Sequence, residues 1–80
     1  MAHLRFHLRF PEEKIKEPVL CQINREFLQV DTNIRRADVR DTTGWMDVEF
    51  SGEVAEIERA IECIRNKGVI VDPIELNVVE

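Results

Sequence analysis

The stretch His3-Leu4-Arg5-Phe6-His7-Leu8-Arg9-Phe10 alternates without a break between an apolar side chain and an imidazole or guanidinium. Only a strand sorts such a pattern onto two clean faces. Leu4, Phe6, Leu8 and Phe10 then form a core-directed set. His3, Arg5, His7 and Arg9 form the opposite set, which must be solvated, paired with acids or used in binding.

A second strict alternation runs from Trp45 to Phe50, with Met46, Val48 and Phe50 inward and Trp45, Asp47 and Glu49 outward. Before it, Asp41-Thr42-Thr43-Gly44 reads as a hairpin turn whose glycine can take a positive φ. The segment from Asn33 to Asp41 alternates weakly, with Ile34 apolar, Arg35 and Arg36 charged, and Ala37 and Val39 on the other usable face. Charges in a weak strand mark a sheet edge that resists pairing with other chains.

Two helices separate these strands. Pro11-Glu12-Glu13-Lys14 reads as an irregular entry, and Glu17-Pro18 opens the first helix with proline at the first helical position. Its buried stripe is Val19, Leu20, Ile23 and Phe27, and it fades near Gln29 and Val30 into a turn at Asp31-Thr32-Asn33. The second helix follows Ser51, a cap candidate, and buries Val54, Ile57, Ala60, Ile61 and Ile64. Arg65-Asn66-Lys67-Gly68 stops it with cations and a glycine. Val69 to Leu76 is the last strand, and Pro73 within it places that strand at an edge or at a bulge.

The order strand, helix, strand, strand, helix, strand is the split arrangement of the α+β ferredoxin-like fold (βαββαβ). Right-handed crossovers give an antiparallel four-stranded sheet of order 4132, with two helices on one face. The strands of strictest alternation are the central ones, and the sheet's other face is open.

With 80 residues the chain suffices for one small domain. No apolar run is long enough to cross a membrane, and the charged start lacks the build of a signal peptide, so a cytoplasmic location is expected. Cys21 and Cys63 lie far apart within helical patterns, as core or near-core thiols in a reducing compartment rather than a disulfide or metal framework. A net charge of -5 speaks against a nucleic-acid scaffold.

No catalytic constellation is signalled: Ser51, the only serine, reads as a cap, and His3 and His7 are spaced too far along a strand to converge on one metal ion. An enzyme of acylphosphatase type needs a phosphate loop after the first strand, where Pro11-Glu12-Glu13 is acidic and glycine-free. An RNA-stacking platform is missing too, because Phe6, Phe10 and Phe50 share the inward register and only Trp45 faces outward. Neither cofactor nor metal is therefore expected. The plainest role for His3, Arg5, His7 and Arg9 is cross-strand pairing with Trp45, Asp47 and Glu49, worth roughly a few tenths of a kcal/mol each.

Thr32-Asn33-Ile34-Arg35-Arg36-Ala37-Asp38-Val39, then Gly44, the Met46-Val48-Phe50 strand, Gly52, Ala60-Ile61 and Gly68-Val69 together resemble the NIL domain family. The Asn-Ile-Leu run that gives the family its name is matched by Asn33 and Ile34, with Arg35 in place of leucine. The resemblance covers nearly the whole chain, residues 1–80 as a single NIL-like domain with a core of about 3–76. It implies a ferredoxin-like module of the kind found at the C-terminus of methionine importer ATPases, where methionine binds and slows transport. Other members are fused to iron-sulfur ferredoxin segments or stand alone. The chain has no Walker motif and no cysteine ladder, so it reads as a free-standing member or a fragment of a longer protein.

Two functions follow as expectations. One is a non-catalytic sensor that binds a small amino-acid-like ligand such as methionine, as a homodimer, with Asn33 anchoring a polar group and Ile34 giving apolar contact. Arg35 either favours a carboxylate-bearing ligand or merely protects the edge, and Asn33 reads equally as a strand-start residue. The other is an interaction module in which Arg5, His7, Arg9 and Trp45 dock a transporter ATPase or a ferredoxin-type partner.

Overall fold

The computed structural model describes residues 1–75. Leu76, expected to end the last strand, and the four residues after it lie outside that range. The elements are β1 (Ala2–Phe10), a 3-10 turn (Glu12–Lys14), α1 (Val19–Glu26), β2 (Asp31–Val39), β3 (Gly44–Gly52), α2 (Val54–Asn66) and β4 (Ile70–Glu75). The strands form one antiparallel sheet of order β2-β3-β1-β4, the expected ferredoxin-like topology read from its other edge.

β1 and β3 pair along their full length, from Ala2 opposite Gly52 to Phe10 opposite Gly44. This register sets Leu4 against Phe50, Phe6 against Val48 and Leu8 against Met46 on the helix side. Val19 and Ile23 from α1 and Ile57, Ala60, Ile61 and Ile64 from α2 close over them. Phe6 and Phe50 meet edge to face with ring centroids 5.8 Å apart, a favourable aromatic geometry.

The loops and ends depart from expectation in several places. β2 begins at Asp31, because the chain turns earlier, through Val30 N–H donating to the Phe27 carbonyl at 3.0 Å. Accordingly α1 ends at Glu26 rather than near Gln29, and Pro18 flanks it instead of occupying its first turn. The hairpin between β2 and β3 closes with Arg40 N–H on the Thr43 carbonyl at 2.7 Å. Gly44 has no positive φ there; it is already a buried strand residue opposite Phe10 and Val39. Ser51 is not a helix cap, since it lies within β3 and bonds His3 Nδ1 at 2.7 Å. Glu53 flanks α2 without a side-chain cap. Cys21 is exposed, on the side of α1 away from the core, and Val54 is exposed as well.

The largest departure is in β2. Its register with β3 shifts between Ile34 and Arg36, a bulge that leaves Arg35 as the extra residue. One extra residue inverts the face parity, so Ile34, Ala37 and Val39 all fall opposite the helix-side residues or glycine of β3. Pro73, opposite Phe6, sits beside a register shift in β4, which is therefore both an edge strand and a bulged one. Gly68 ends α2 with φ of 93°, the cap its sequence predicted. Gly52 is needed for space: a Cβ there would sit 2.7 Å from the Gln29 carbonyl oxygen.

Candidate functional site

Two regions combine exposure with organised side chains, one on each face of the sheet. On the helix side, a cleft of about 240 Å³ opens between the N-terminal end of α1 and the β2 edge. Ile34, Val39 and Met46 form its sheet wall, and Pro18, Val19 and Leu20 its helix wall. Glu17 is the charged group on its rim. Its carboxylate accepts from Lys14 Nζ at 3.1 Å, and that hydrogen bond holds its pKa below the ordinary glutamate value. Ile34 and Val39 are each about half exposed (51% and 54%), so the edge strand brings apolar surface to the cleft that nothing covers.

On the open face, β1 and β3 place His7 opposite Asp47 and Arg5 opposite Glu49. His7 Nδ1 donates to Asp47 Oδ1 at 2.6 Å, and Arg36 donates to Asp47 Oδ2 through Nε at 3.0 Å and Nη2 at 2.9 Å. Asp47 is only 6% exposed although its strand position faces outward. Burial alone would raise its pKa, but the His7 hydrogen bond, reinforced by Arg36, outweighs that and lowers it. Trp45 stacks on His7 at 5.4 Å between ring centroids, and the Arg36 guanidinium lies 5.7 Å from the Trp45 centroid. Arg5 Nε donates to Glu49 at 3.3 Å and Arg9 Nη2 to Asp72 at 3.4 Å. The expected pairing of the β1 cations with β3 acids is thus present at Arg5 and His7. Arg9 instead reaches across to β4.

The three consecutive residues singled out in β2 do not share one surface. Ile34 lies in the apolar cleft, whereas Asn33 is opposite Glu49 on the open side. Arg35, at the bulge, lines an open-face recess with Arg36 and Arg5. Sequence reasoning missed Arg36, which needs the bulge to reach Asp47, and missed Glu17 and Leu20 in the cleft. The strict β1 alternation opposite Asp47 was the one available signal for the His7 pair.

Of the two thiols, Cys63 is part-buried and donates to Glu26 Oε2 at 3.6 Å; burial, with the Glu26 charge, pushes its pKa up. Among the described residues no cluster of three His, Cys, Asp or Glu side chains is arranged to hold a metal, and no helix is long and apolar enough to cross a membrane.

Comparison with known proteins adds four relations. The NIL domain family model matches residues 4–73. The methionine import ATP-binding protein MetN of Helicobacter pylori is 30% identical over 74 residues, which span 88% of this chain but 22% of that protein. The C-terminal domain of an ABC transporter ATP-binding protein from Enterococcus faecalis superposes with a TM-score of 0.76 at 26% identity, covering 92% of this chain and 86% of that one. A de novo designed protein, Foldit4, shares the fold alone, with a TM-score of 0.60 at 19% identity and coverage of 95% and 98%.

Proposed function

The chain belongs to the NIL domain family, and from that premise we propose that it is a non-catalytic regulatory module that binds methionine or a similar small amino acid as a homodimer. It acts on the cytoplasmic side of an amino-acid importer, within or beside the transporter's ATPase. The observation that carries the ligand is the apolar cleft at Ile34. At about 240 Å³ it lies below the roughly 300–1,000 Å³ of sites for drug-sized molecules, and it suits one flexible apolar side chain such as a thioether. Glu17 on the rim, with Lys14 paired to it, offers opposite charges to the ammonium and carboxylate of a zwitterion. Asn33 faces away from the cleft in the same protomer, so it meets the ligand only where a second copy covers the β2 edge. The name of the Helicobacter relative, a methionine import protein, supports this choice of ligand.

Calorimetry with methionine tests the reading. Saturable heat is expected at or below millimolar ligand, with norleucine close behind and aspartate inert. Ile34→Asp should remove the heat while the far-ultraviolet circular dichroism stays unchanged. No methionine heat from the wild-type chain at millimolar concentration overturns the reading.

A second reading is favoured by the apolar groups of the open face. Ile70 and Ile74 are each nearly half exposed, and Ile70 is opposite Arg9 on the row that carries Trp45. A surface of Trp45, Arg5, His7 and Arg9 beside such residues has the composition of a protein-docking patch. Trp45→Ala should then abolish self-association or capture by a transporter ATPase or ferredoxin-type partner without unfolding the domain. An unchanged sedimentation profile with unchanged partner capture removes it.

A further inference from the structure

The open face carries its polar groups in rows that cross all four strands. The row through His7 reads Arg36 on β2, Asp47 on β3, His7 on β1 and Asp72 on β4. The adjoining row reads Asp38, Trp45, Arg9 and Ile70. In the first row Arg36 and Asp72, of opposite sign, hold the two outer positions, and the central aspartate faces an imidazole. We propose that this face binds a second copy of the chain, stacked sheet on sheet about a two-fold axis that runs along the strands between β1 and β3. The proposal rests on the reading of the open face as a docking patch and gives that patch its partner.

Such an axis exchanges β1 with β3 and β2 with β4 while leaving each row in place. Arg36 of one copy then lies over Asp72 of the other, and symmetry makes that contact twice. Both groups reach solvent, with side chains 75% and 57% exposed. Arg36 donates to Asp47 through Nε and Nη2 and keeps the rest of its guanidinium fork for a further acceptor. Asp72 meets Arg9 through Oδ2 at a long 3.4 Å. In the adjoining row Trp45 of the second copy lies against the Arg9 stem and, one strand further, against Ile70, which is 47% exposed. An axis across the strands through the His7 row would instead set Arg36 on Arg36 and Asp72 on Asp72, which repel, so charge selects the axis along the strands. Stacked sheets lie roughly 10 Å apart with strands about 30° from parallel, spans that arginine and tryptophan side chains bridge.

The test is sedimentation equilibrium of the full chain, with amide nuclear magnetic resonance across a dilution series. Self-association is expected, with concentration-dependent shifts centred on Arg9, Arg36, Trp45 and Asp72, and it should weaken in high salt. Asp72→Arg and Arg36→Asp should each weaken it roughly tenfold, because each puts two like-charge pairs into one symmetric contact. An equimolar mixture of the two variants should restore the wild-type affinity, since each new charge then meets its opposite. If Arg36→Asp fails to fold for want of its bond to Asp47, Asp72→Arg with unchanged circular dichroism decides alone. Open-face signals that ignore concentration, shifts confined to the β2 edge, association unaltered in Asp72→Arg, or a mixture of folded variants that stays dissociated overturns the proposal. Ile34→Asp, on the other face, should leave this contact intact. The docking reading is judged apart, by capture of a transporter ATPase with wild type and Trp45→Ala, so its failure and the failure of self-association are separately visible.

Discussion

The two faces of the central strands differ in how the same backbone is stabilised. On the helix side Leu8, Val48 and Phe50 are fully buried, and the energy there is apolar area removed from water. On the open side, β1 and β3 bury just one charged group, Asp47, and surround it with His7, Arg36 and Trp45. The first face holds the domain together. The second spends little stability but fixes the direction of specific polar groups, which recognition requires.

Phe50→Ala is the strongest way to break the contrast. It should cost about 3–5 kcal/mol, because a ring that is fully buried and packed edge to face against Phe6 leaves a cavity. A domain of this length has roughly 4–12 kcal/mol in total, so urea unfolding should show a midpoint collapsed towards zero. A midpoint close to wild type would mean that the helix-side core is not the principal source of stability.

Asp47→Asn comes next, at about 1–3 kcal/mol near neutral pH, since it weakens two charge-assisted interactions on a buried group. The pH dependence has a definite sign. Asp47 titrates below its unfolded value of about 3.9, so its contribution is complete above that pH and fades as pH falls through its folded pKa. Acid unfolding of the wild type should therefore steepen below about pH 4, and the Asp47→Asn variant should lose part of that slope. Equal acid limbs for the two proteins would refute the pairing.

The smallest effects belong to the outer ion pairs. A double-mutant cycle on Arg5 and Glu49 should give roughly 0.2–1 kcal/mol, and one on Arg9 and Asp72, where both side chains are more than half exposed, should fall at the bottom of that range. Both couplings should shrink in high salt. A larger value for the Arg9 pair would sharpen the comparison by showing order at the β4 edge that its exposure does not suggest.

Alternation made β1 and β3 legible, along with their partners across the sheet, because a pleat fixes side-chain direction residue by residue. Gly68 was legible for the same local reason: a helix stop followed by a residue that tolerates positive φ. β2 was legible as an edge strand, but the directions of its side chains were not, since the bulge at Arg35 arises from pairing with β3 and from nothing in the run Asn33 to Val39 itself. Of the candidate site, Ile34 was found in sequence, but its neighbours Leu20 and Met46 come from elements distant along the chain. Ser51 shows how a local rule loses. A serine before a helix suggests a cap, yet β3 continues past it and His3 takes its hydroxyl.

The sequence by itself determined the two-sidedness of the strands, the order of the elements and the family, all of which rest on periodicity and short-range spacing. Only the tertiary structure decided that an outward-facing aspartate is buried, that two successive arginines enter one recess, and that the edge of β2 walls an apolar cleft. Each of those depends on side chains from three or more elements meeting in space. Their joint burial and charge balance are properties of the assembled sheet, which no single stretch of sequence contains.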